Sequence, residues 1–353
     1  MSASPLKWVE INLAAIRGNL RWAMGALGRG TGLLAVVKAD AYGHGAVEVA
    51  RLALAAGAAG AGVLTLAEAA ELRRAGIRGR ILVMSPPLPG EAAEAARLDV
   101  DVTVDNAPLA RALSKAARRR KVRVHLDLDY GLGRWGLPPR ELPAFQRLLD
   151  RLPGLETAGL SAHLDYVPGK NAVEAEDKLR HFARVAETAR AWRPTLERHV
   201  ANSSILLDFP HRRMDLARVG NLLYGINRTS KAAPLKNPFA LKARVISLKT
   251  VGKGRSIGYA SEYLAPRRMT VAALPAGYAD GLAMEPAERF IGFMSPFHYY
   301  GRLRGRKVPF VGRVGISHVL VDVSGVPGVR VGDEVTLPVR RTAASSRLPR
   351  IYT

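Results

Sequence analysis

The sequence predicts a closed (β/α)₈ barrel of the TIM type, followed by a mostly-β carboxy-terminal domain. Strand-like and helix-like segments alternate regularly up to about residue 225, which gives eight β-then-α units. The strand-like segments are almost continuously apolar, as is typical of parallel strands that are covered on both faces. After about residue 230, short alternating apolar runs are punctuated by proline and glycine, which is typical of all-β domains. Eight successive units favour a barrel over an open doubly wound sheet.

The elements of the predicted barrel follow one another in regular order. The apolar segments predicted as strands are residues 33–38, 61–65, 80–84, 100–104, 122–128, 155–163, 199–203 and 216–219. The helices and helical turns predicted after them are residues 46–56, 66–75, 90–98, 106–119, 139–151, 173–192 and 205–208. Asn106 is expected to cap its helix, with Pro108 in the first turn.

The rest of the chain predicts a β-domain to which the amino terminus contributes. Strands are expected at residues 243–251, 269–274, 319–323 and 333–337. Residues 8–13 are also strand-like, and we expect them to pair with the carboxy-terminal sheet. The chain is therefore divided into an amino-terminal strand, a barrel and a β-domain, with bounds 1–13, 14–228 and 229–353.

Composition excludes several classes of protein. A chain of 353 residues is long enough for about two domains. Because cysteine is absent, disulfide frameworks, thiolate metal sites and cysteine nucleophiles are excluded, and we predict no metal site. The opening residues contain no signal-like apolar run, and the longest uncharged stretch, between Arg51 and Glu68, is shorter than a membrane span. We expect a soluble cytoplasmic protein.

The net charge is strongly positive. Lysine and arginine total 53 against 30 aspartate and glutamate residues, which gives +23. Such a charge is compatible with nucleic-acid binding. The basic residues are nevertheless scattered, aromatic residues make up only 6%, and no nucleic-acid-binding motif accompanies them. We therefore expect a small-molecule substrate and no specific nucleic-acid partner.

Lys38 is the first candidate for chemistry, because it stands at the end of the first barrel strand. Catalytic residues of such barrels lie where strands end. Burial lowers the pKa of an amine, and a neutral lysine is suited to Schiff-base formation. Considered alone, Lys38 is equally compatible with a non-catalytic lysine whose side chain reaches solvent at the barrel rim.

The segment that begins at Lys38, Lys-Ala-Asp-Ala-Tyr-Gly-His-Gly, resembles the pyridoxal-phosphate (PLP) signature of alanine racemases. The resemblance extends in the same order through residues 129–136, 161–163, 201–203, 218–220, 224–225, 258–259, 277–281, 311–314 and 347–351. It implies a PLP-dependent isomerase that interconverts L- and D-alanine for peptidoglycan. A racemase for another small amino acid, such as serine, remains an alternative. A non-catalytic PLP-binding homeostasis protein is a further one, although such proteins are typically single-domain.

The resemblance also implies which residues hold the cofactor. Lys38 would carry it as a Schiff base, and Tyr42 would reach its phosphate. Arg218 would bond the pyridine nitrogen, which would stay unprotonated because a guanidinium does not give up its proton. His163 would stack beside the cofactor and bond that arginine. The remaining phosphate contacts would come from Ser203, Gly220 and Asn221.

Substrate and proton transfer are assigned in the same way. Arg134 would orient the substrate carboxylate, and Ile316 would lie at the entrance of the site. Racemisation needs acid–base groups on both faces of Cα. The resemblance gives these roles to Lys38 and to Tyr259, which the partner subunit would supply. The active unit is therefore expected to be a symmetric homodimer.

The chain departs from the family pattern at three places. Gly315, Ile316 and Ser317 replace a common Cys-Met-Asp sequence, which changes the expected entrance. Asp127 stands where the family often has a lysine that can carry a carbamate. Ser346 replaces a phosphate-binding tyrosine. These departures affect the expected substrate preference and cofactor affinity more than the reaction class.

Overall fold

The structure is a computed structural model that describes residues 5–282, 299–339 and 344–353. Its contacts divide the chain into two compact units. The barrel unit comprises Leu13–Asn237, and the β unit combines Met1–Asn12 with Pro238–Thr353. Residues 229–237 therefore lie with the barrel unit, although the sequence analysis grouped them with the β-domain. Among the described residues, no helix is long and apolar enough to cross a membrane.

The barrel unit contains eight parallel strands in the spatial order β8-β7-β6-β5-β4-β3-β2-β9. The strands are β2 (Gly32–Val36), β3 (Gly60–Val63), β4 (Ile81–Val83), β5 (Asp101–Val104), β6 (Val122–Leu128), β7 (Leu155–Ala162), β8 (Glu197–His199) and β9 (Leu216–Val219). Between β8 and β9, the amide of Arg218 donates to the carbonyl of Ala201 at 2.9 Å. This contact brings the first and last strands of the order together, so the barrel is nearly closed, as predicted.

One helix precedes the first strand of the barrel unit, and the others connect successive strands. Their bounds are α1 (Leu13–Leu27), α2 (Lys38–Gly43), α3 (Ala46–Ala55), α4 (Leu66–Arg74), α5 (Ala92–Leu98), α6 (Ala107–Ala116), α7 (Leu142–Asp150), α8 (Ala172–Trp192) and α9 (Ser203–Asp208). Buried residues recur in α8 at alternating spacings of four and three, which is the pattern of one apolar helix face; they are Ala175, Leu179, Phe182, Ala186 and Ala189. The predicted cap is confirmed, since the Asn106 side chain accepts from the amide of Leu109 at 2.9 Å.

Helix α1 was not among the helices predicted from the sequence. The buried positions of this helix, which include Ile16, Leu20 and Leu27, have the spacing of a helical face. Asn19 is also buried and donates to the carbonyls of Leu223 and Lys236, at 3.1 and 2.8 Å. The apolar spacing of a helix was therefore present in the sequence between the strands predicted at residues 8–13 and 33–38.

The β unit consists of two larger sheets and a hairpin. A six-stranded sheet has the order β16-β15-β18-β10-β1-β19, a three-stranded sheet has the order β11-β14-β17, and β12 pairs with β13. The strands are β1 (Lys7–Ile11), β10 (Phe239–Arg244), β11 (Ser247–Val251), β12 (Ser256–Ile257), β13 (Tyr263–Leu264), β14 (Met269–Leu274), β15 (Tyr300–Leu303), β16 (Arg306–Pro309), β17 (Val319–Asp322), β18 (Glu334–Leu337) and β19 (Arg350–Tyr352). Since β1 pairs with β10 and β19, the prediction that the amino-terminal strand joins the β-domain is confirmed.

One predicted strand is divided in two. Residues 243–251 were expected to form a single strand, but β10 belongs to the six-stranded sheet and β11 to the three-stranded sheet. The amide of Val245 bonds Asp333, whereas the amide of Ile246 bonds Ala273. Adjacent residues thus pair with different sheets, and an uninterrupted apolar pattern does not show such a change of partner.

Candidate active site

A cavity of about 270 Å³ lies within the barrel unit, and the ends of the parallel strands supply its walls. Lys38 follows β2, and His163 directly follows β7. Arg218 is the third residue of the four-residue β9. The cavity brings together all the barrel residues that the sequence analysis assigned to the site: Lys38, Tyr42, Arg134, His163, Ser203, Arg218, Gly220 and Asn221.

Lys38 begins a left-handed turn, α2. Ala39, Asp40, Ala41 and Tyr42 all have φ between 52° and 58°. This conformation costs L-residues roughly 1–2 kcal/mol each, so surrounding bonds must hold it. Glu68 accepts from the Ala39 amide at 2.7 Å, and the Asp40 carboxylate accepts from the Ala46 amide at 2.9 Å. The backbone after Lys38 is therefore held at both ends.

The amine of Lys38 lies in a positively charged environment. Burial lowers its pKa, and the guanidinium groups of Arg134 and Arg218 lower it further, while the carboxylate of Glu68 opposes them. A lowered pKa increases the fraction of neutral amine, which is the form that attacks a carbonyl or accepts a proton. The lowered pKa of Lys38 therefore agrees with the reactive lysine predicted at this strand end.

Hydroxyl and amide groups converge at another part of the cavity. The amide of Gly220 donates to Oγ of Ser203 at 3.2 Å. Ser203 begins α9, and the side chain of Asn202 caps this helix by accepting from the amides of Ser204 and Ile205. A Cβ at position 220 would lie 2.7 Å from Oη of Tyr42, so any side chain there would require this hydroxyl to shift. Clustered hydroxyls and backbone amides of this kind suit a phosphate group.

Arg218 is a buried cation with fixed acceptors. Its Nη1 donates to Nδ1 of His199 at 2.7 Å and also to the His199 carbonyl, while its Nη2 donates to the carbonyl of Ala162 at 2.7 Å. Burial lowers the pKa of Arg218 to about 10, so it keeps its proton at neutral pH. A ring nitrogen facing this side chain would meet a hydrogen-bond donor that does not give up its proton.

The assignment of the arginine's histidine partner requires a correction. The resemblance gave this role to His163, but within the described residues His199 makes the bond and His163 makes none to Arg218. His163 lines the cavity, where burial and the charges of Arg218, Arg134 and Lys38 lower its pKa to about 3. His163 is therefore a neutral ring that can stack against a ligand. His163 directly follows β7, whereas His199 is the last residue of the neighbouring β8.

Arg134 is supported by the residue that follows it. Its guanidinium carbon lies 3.6 Å from the centre of the Trp135 ring, which is a cation–π contact. The indole Nε1 of Trp135 is buried and has no hydrogen-bond partner among the described residues. Trp135 also lines the cavity, although the sequence analysis gave it no role. A polar ligand could therefore meet two donors here, the guanidinium and the indole.

Asp127 also lines this cavity. It is buried, and its carboxylate accepts a hydrogen bond from Oγ of Ser161. Burial raises the pKa of Asp127, while the Ser161 bond and the charges of Arg218 and Arg134 oppose the rise. The carboxyl group of Asp127 therefore lies within range of the charges of both arginines.

Three further residues of interest belong to the β unit. Tyr259 opens a short 3₁₀ helix (Tyr259–Ser261), and 60% of its surface is exposed. Ile316 is 58% exposed, and its carbonyl accepts from the amide of Ala279 at 3.0 Å. Ser346 is exposed and its carbonyl accepts from Arg350 at 3.2 Å. None of these three residues lines the barrel-unit cavity.

Among the described residues, one group has the spacing of a metal site. Ligand atoms of His125, Glu197 and His199 lie within 4.8 Å of one another. These atoms already bond protein groups: Arg80 donates to Glu197 at 2.6 and 3.0 Å, and the two histidine rings bond each other at 2.8 Å. The arginine supplies the positive charge that a metal ion would bring. The group is therefore better described as an ion-pair network.

The donor set of the cavity fits PLP. Lys38 would hold the aldehyde carbon, Arg218 would face the ring nitrogen, and His163 would stack on the ring. The phosphate would meet the Ser203 hydroxyl, the Tyr42 hydroxyl and the amides after β9. Tyr42, Ser203 and Gly220 line the same cavity, and the Gly220 amide lies 3.2 Å from the Ser203 hydroxyl, so groups that suit a phosphate are clustered in this position.

Comparison with known proteins identifies the family of the chain. The family model for the N-terminal domain of alanine racemase matches residues 11–228, and the model for the C-terminal domain matches residues 239–348. An alanine racemase of Syntrophobacter fumaroxidans is 37% identical over 94% of this chain and 87% of its own length.

Solved structures give the same result. The alanine racemase of Clostridium difficile 630 matches with a TM-score of 0.90 and 25% identity, over 100% of this chain and 97% of that one. The Bacillus anthracis alanine racemase with bound L-Ala-P matches with a TM-score of 0.86 and 28% identity, over 100% and 96%. The chain belongs to the alanine racemase family of PLP-dependent isomerases.

Proposed function

We propose that this enzyme interconverts L- and D-alanine, with PLP held on Lys38 and the Cα proton exchanged by Lys38 on one face and Tyr259 on the other. The observation that carries the proposal is the cavity in which a lysine of lowered pKa and a buried arginine line the same space. PLP, when bound to an amino acid, stabilises negative charge at Cα.

Different residues of the barrel unit then bind the substrate and transfer the proton. Arg134 binds the substrate carboxylate, and the Trp135 ring holds the guanidinium in place. The neutral amine of Lys38 takes a proton from Cα or, once protonated, returns it. Arg218 keeps its own proton, so it limits how far negative charge spreads onto the ring nitrogen and thereby disfavours side reactions.

The second proton-transfer group is Tyr259, supplied by the partner subunit of a homodimer. The surface of the β unit supports this assembly, because it presents several large apolar side chains to solvent: Tyr259, Leu264, Tyr278 and Ile316. Burying one such side chain contributes about 1.5–3 kcal/mol. In a symmetric dimer, each of these side chains would be buried in both subunits.

The biological role follows from the reaction. D-Alanine produced in this way would supply peptidoglycan precursors, and we place the enzyme in the cytoplasm, where such precursors are made. A non-catalytic PLP-binding role is disfavoured, because the C-terminal-domain family model covers residues 239–348 in addition to the barrel. Racemisation of serine remains the second candidate, since Gly315, Ile316 and Ser317 alter the expected entrance.

Chiral chromatography of alanine tests the proposal. The purified chain, loaded with PLP, is incubated with L-alanine or D-alanine, and both enantiomers are measured until they stop changing. We expect either starting enantiomer to reach an equal mixture and Lys38→Ala to convert neither. If the loaded protein binds PLP but leaves alanine optically pure while it racemises serine, the second candidate replaces the first. If it racemises neither amino acid, the proposed reaction is wrong.

A further inference from the structure

A continuous chain of buried polar side chains leads away from Arg218 through the barrel unit. Arg218 bonds Nδ1 of His199 at 2.7 Å, and Nε2 of His199 lies 2.8 Å from Nδ1 of His125. Nε2 of His125 then lies 3.1 Å from Oδ2 of Asp101. These four side chains belong to residues that are at most 8% exposed, and they come from four different strands, β9, β8, β6 and β5.

The two ends of this chain fix the direction of every bond in it. Arg218 can only donate. At the other end, the Asp101 carboxylate accepts from Nε of Arg80 at 2.8 Å and from Nε of Arg123 at 3.1 Å; these two ion pairs keep it ionised, so it only accepts. His199 must therefore accept at Nδ1 and donate from Nε2, and His125 must do the same. Both rings are then neutral, with hydrogen on Nε2.

Other charged groups around the rings are compatible with this arrangement. Burial and the charge of Arg218 lower the pKa of His199 well below its usual range, which keeps it neutral. Nη2 of Arg80 lies 3.2 Å from Nε2 of His125, but the same nitrogen donates to Glu197 at 2.6 Å. Arg123 donates to the other oxygen of Asp101 at 3.1 Å. Asp101 is thus held from two sides and faces His125.

The backbone opposite His125 is shaped to fit its ring. The pairing of β6 with β7 shifts register between Val124 and His125, which marks a β-bulge. The residue brought opposite His125 is Gly159, where an added Cβ would lie 2.0 Å from Nδ1 of the ring. The ring therefore occupies space that any other residue at position 159 would fill.

We propose that Asp101 and His125 are positioning residues for the reaction: through His199, they hold the Arg218 guanidinium in the orientation that faces the cofactor ring. This inference rests on the proposed function, which places Arg218 at the ring nitrogen. If the bond directions were reversed, His199 would present an N–H to the guanidinium. Two donors would then face each other, and Arg218 would turn away.

The protonation of the rings can be measured without cofactor or substrate. The chain has eight histidines, so a protein labelled with ¹⁵N in histidine gives a manageable NMR spectrum. In the cofactor-free protein, we expect His125 and His199 to be neutral with hydrogen on Nε2, identified by loss of their signals in single variants. In Asp101→Asn, a share of His199 should change to the other tautomer. A charged His125 in the unsubstituted protein would overturn the proposal.

Paired substitutions of His125 test the effect on the reaction. His125→Leu removes both bonds, whereas His125→Gln keeps an acceptor for His199 and a donor for Asp101. We expect His125→Leu to lower kcat about tenfold or more and to weaken PLP binding, with little change in the KM for alanine. His125→Gln should stay within about threefold of the unsubstituted enzyme.

Arg73→Leu is the structural control. It removes four bonds to backbone carbonyls within the barrel unit, at Leu98, Ile77, Gly79 and Asp99, but none in this chain. It should lower Tm. At a temperature where both proteins are folded, its kcat should equal that of the unsubstituted enzyme. Equal kcat values for His125→Leu and His125→Gln would refute the positioning role. Absence of racemisation in the unsubstituted enzyme would refute the proposed function instead, and the NMR result would still stand.

Discussion

The side chain of Arg218 donates to Nδ1 of His199 at 2.7 Å, and both residues are buried within the barrel unit. A guanidinium that also bonds the carbonyls of His199 and Ala162 has little freedom to rotate. The cavity therefore contains a donor whose direction is set before any ligand binds. Such preorganisation avoids the cost of reorienting a polar group during a reaction.

Removing a positive charge or a negative charge near Lys38 should shift the pH dependence of PLP binding in opposite directions. Arg134 lowers the pKa of Lys38, and Glu68 raises it. Because only the neutral amine attacks the aldehyde, capture rises as pH increases through this pKa. Arg134→Met should move the rise to higher pH, and Glu68→Gln should move it to lower pH.

The initial rate of borohydride-stable PLP incorporation, measured between about pH 6 and pH 10, gives both shifts. Arg97→Met removes an arginine that pairs with Glu94 on an exposed helix surface, and it should leave the profile unchanged. Shifts of the same sign in the Arg134 and Glu68 variants would show that these charges do not control the amine.

Tyr259→Phe should produce an asymmetric defect. Removing one general acid–base group is expected to lower the racemisation rate by about 10²–10⁴. Exchange of the Cα proton with deuterated solvent, followed by NMR, should survive better from D-alanine, if Lys38 serves that enantiomer as the family implies. Tyr300→Phe makes the same change elsewhere in the β unit and should have no such effect. Equal loss of exchange from both enantiomers would contradict separate roles for the two groups.

Trp135→Leu should weaken substrate binding through Arg134. A cation–π contact contributes about 0.5–2 kcal/mol, so KM for alanine should rise about 2- to 30-fold with a smaller change in kcat. Steady-state kinetics measure both constants. Trp192→Leu, at a tryptophan that is 46% exposed, is the matched control. An unchanged KM would mean that the Trp135 ring does not support Arg134 in the working enzyme.

Serine should be a measurable but poorer substrate. A pocket discriminates against one extra small group by only about 1–3 kcal/mol, so kcat/KM for alanine should exceed that for serine by about 10- to 200-fold. A serine kcat/KM that cannot be detected would show that the changes at Gly315, Ile316 and Ser317 are compensated elsewhere.

Ser346→Tyr should tighten PLP binding. One neutral hydrogen bond is worth about 0.5–1.5 kcal/mol, so the Kd should fall roughly three- to tenfold if the added hydroxyl reaches the phosphate. Equilibrium titration of the cofactor-free protein measures this change, and Ser346→Phe, which lacks the hydroxyl, is the control. If both variants bind PLP equally well, position 346 does not take part in phosphate binding.

The barrel could be predicted from the sequence because its strands are buried on both faces and its helices have one apolar face. Strand ends could then be located, and with them Lys38, His163 and Arg218. The division of residues 243–251 between two sheets could not be predicted, because pairing partners are set by distant residues such as Asp333 and Ala273.

The contacts within the site were predicted less completely than its members. Apolar strand segments contain Asp101, His125 and His199, and a polar residue in such a segment can have a purely structural role. The connection of these residues to Arg218 is visible only from the distances between their side chains. The support of Arg134 by Trp135 likewise depends on side-chain orientation. Even so, Trp135 lies within the motif at residues 129–136, His125 lies in the strand that leads to this motif, and His199 lies two residues before the motif at 201–203.

Mass spectrometry after borohydride reduction tests the role of Lys38 most directly. The protein is incubated with PLP, reduced and digested, and the modified peptide is sequenced. We expect a single stable label on Lys38, and we expect Lys38→Ala to lose both the label and racemisation while keeping its fold by circular dichroism. A label on another lysine, or racemisation that persists in Lys38→Ala, would contradict the assignment of this residue as the cofactor-binding base.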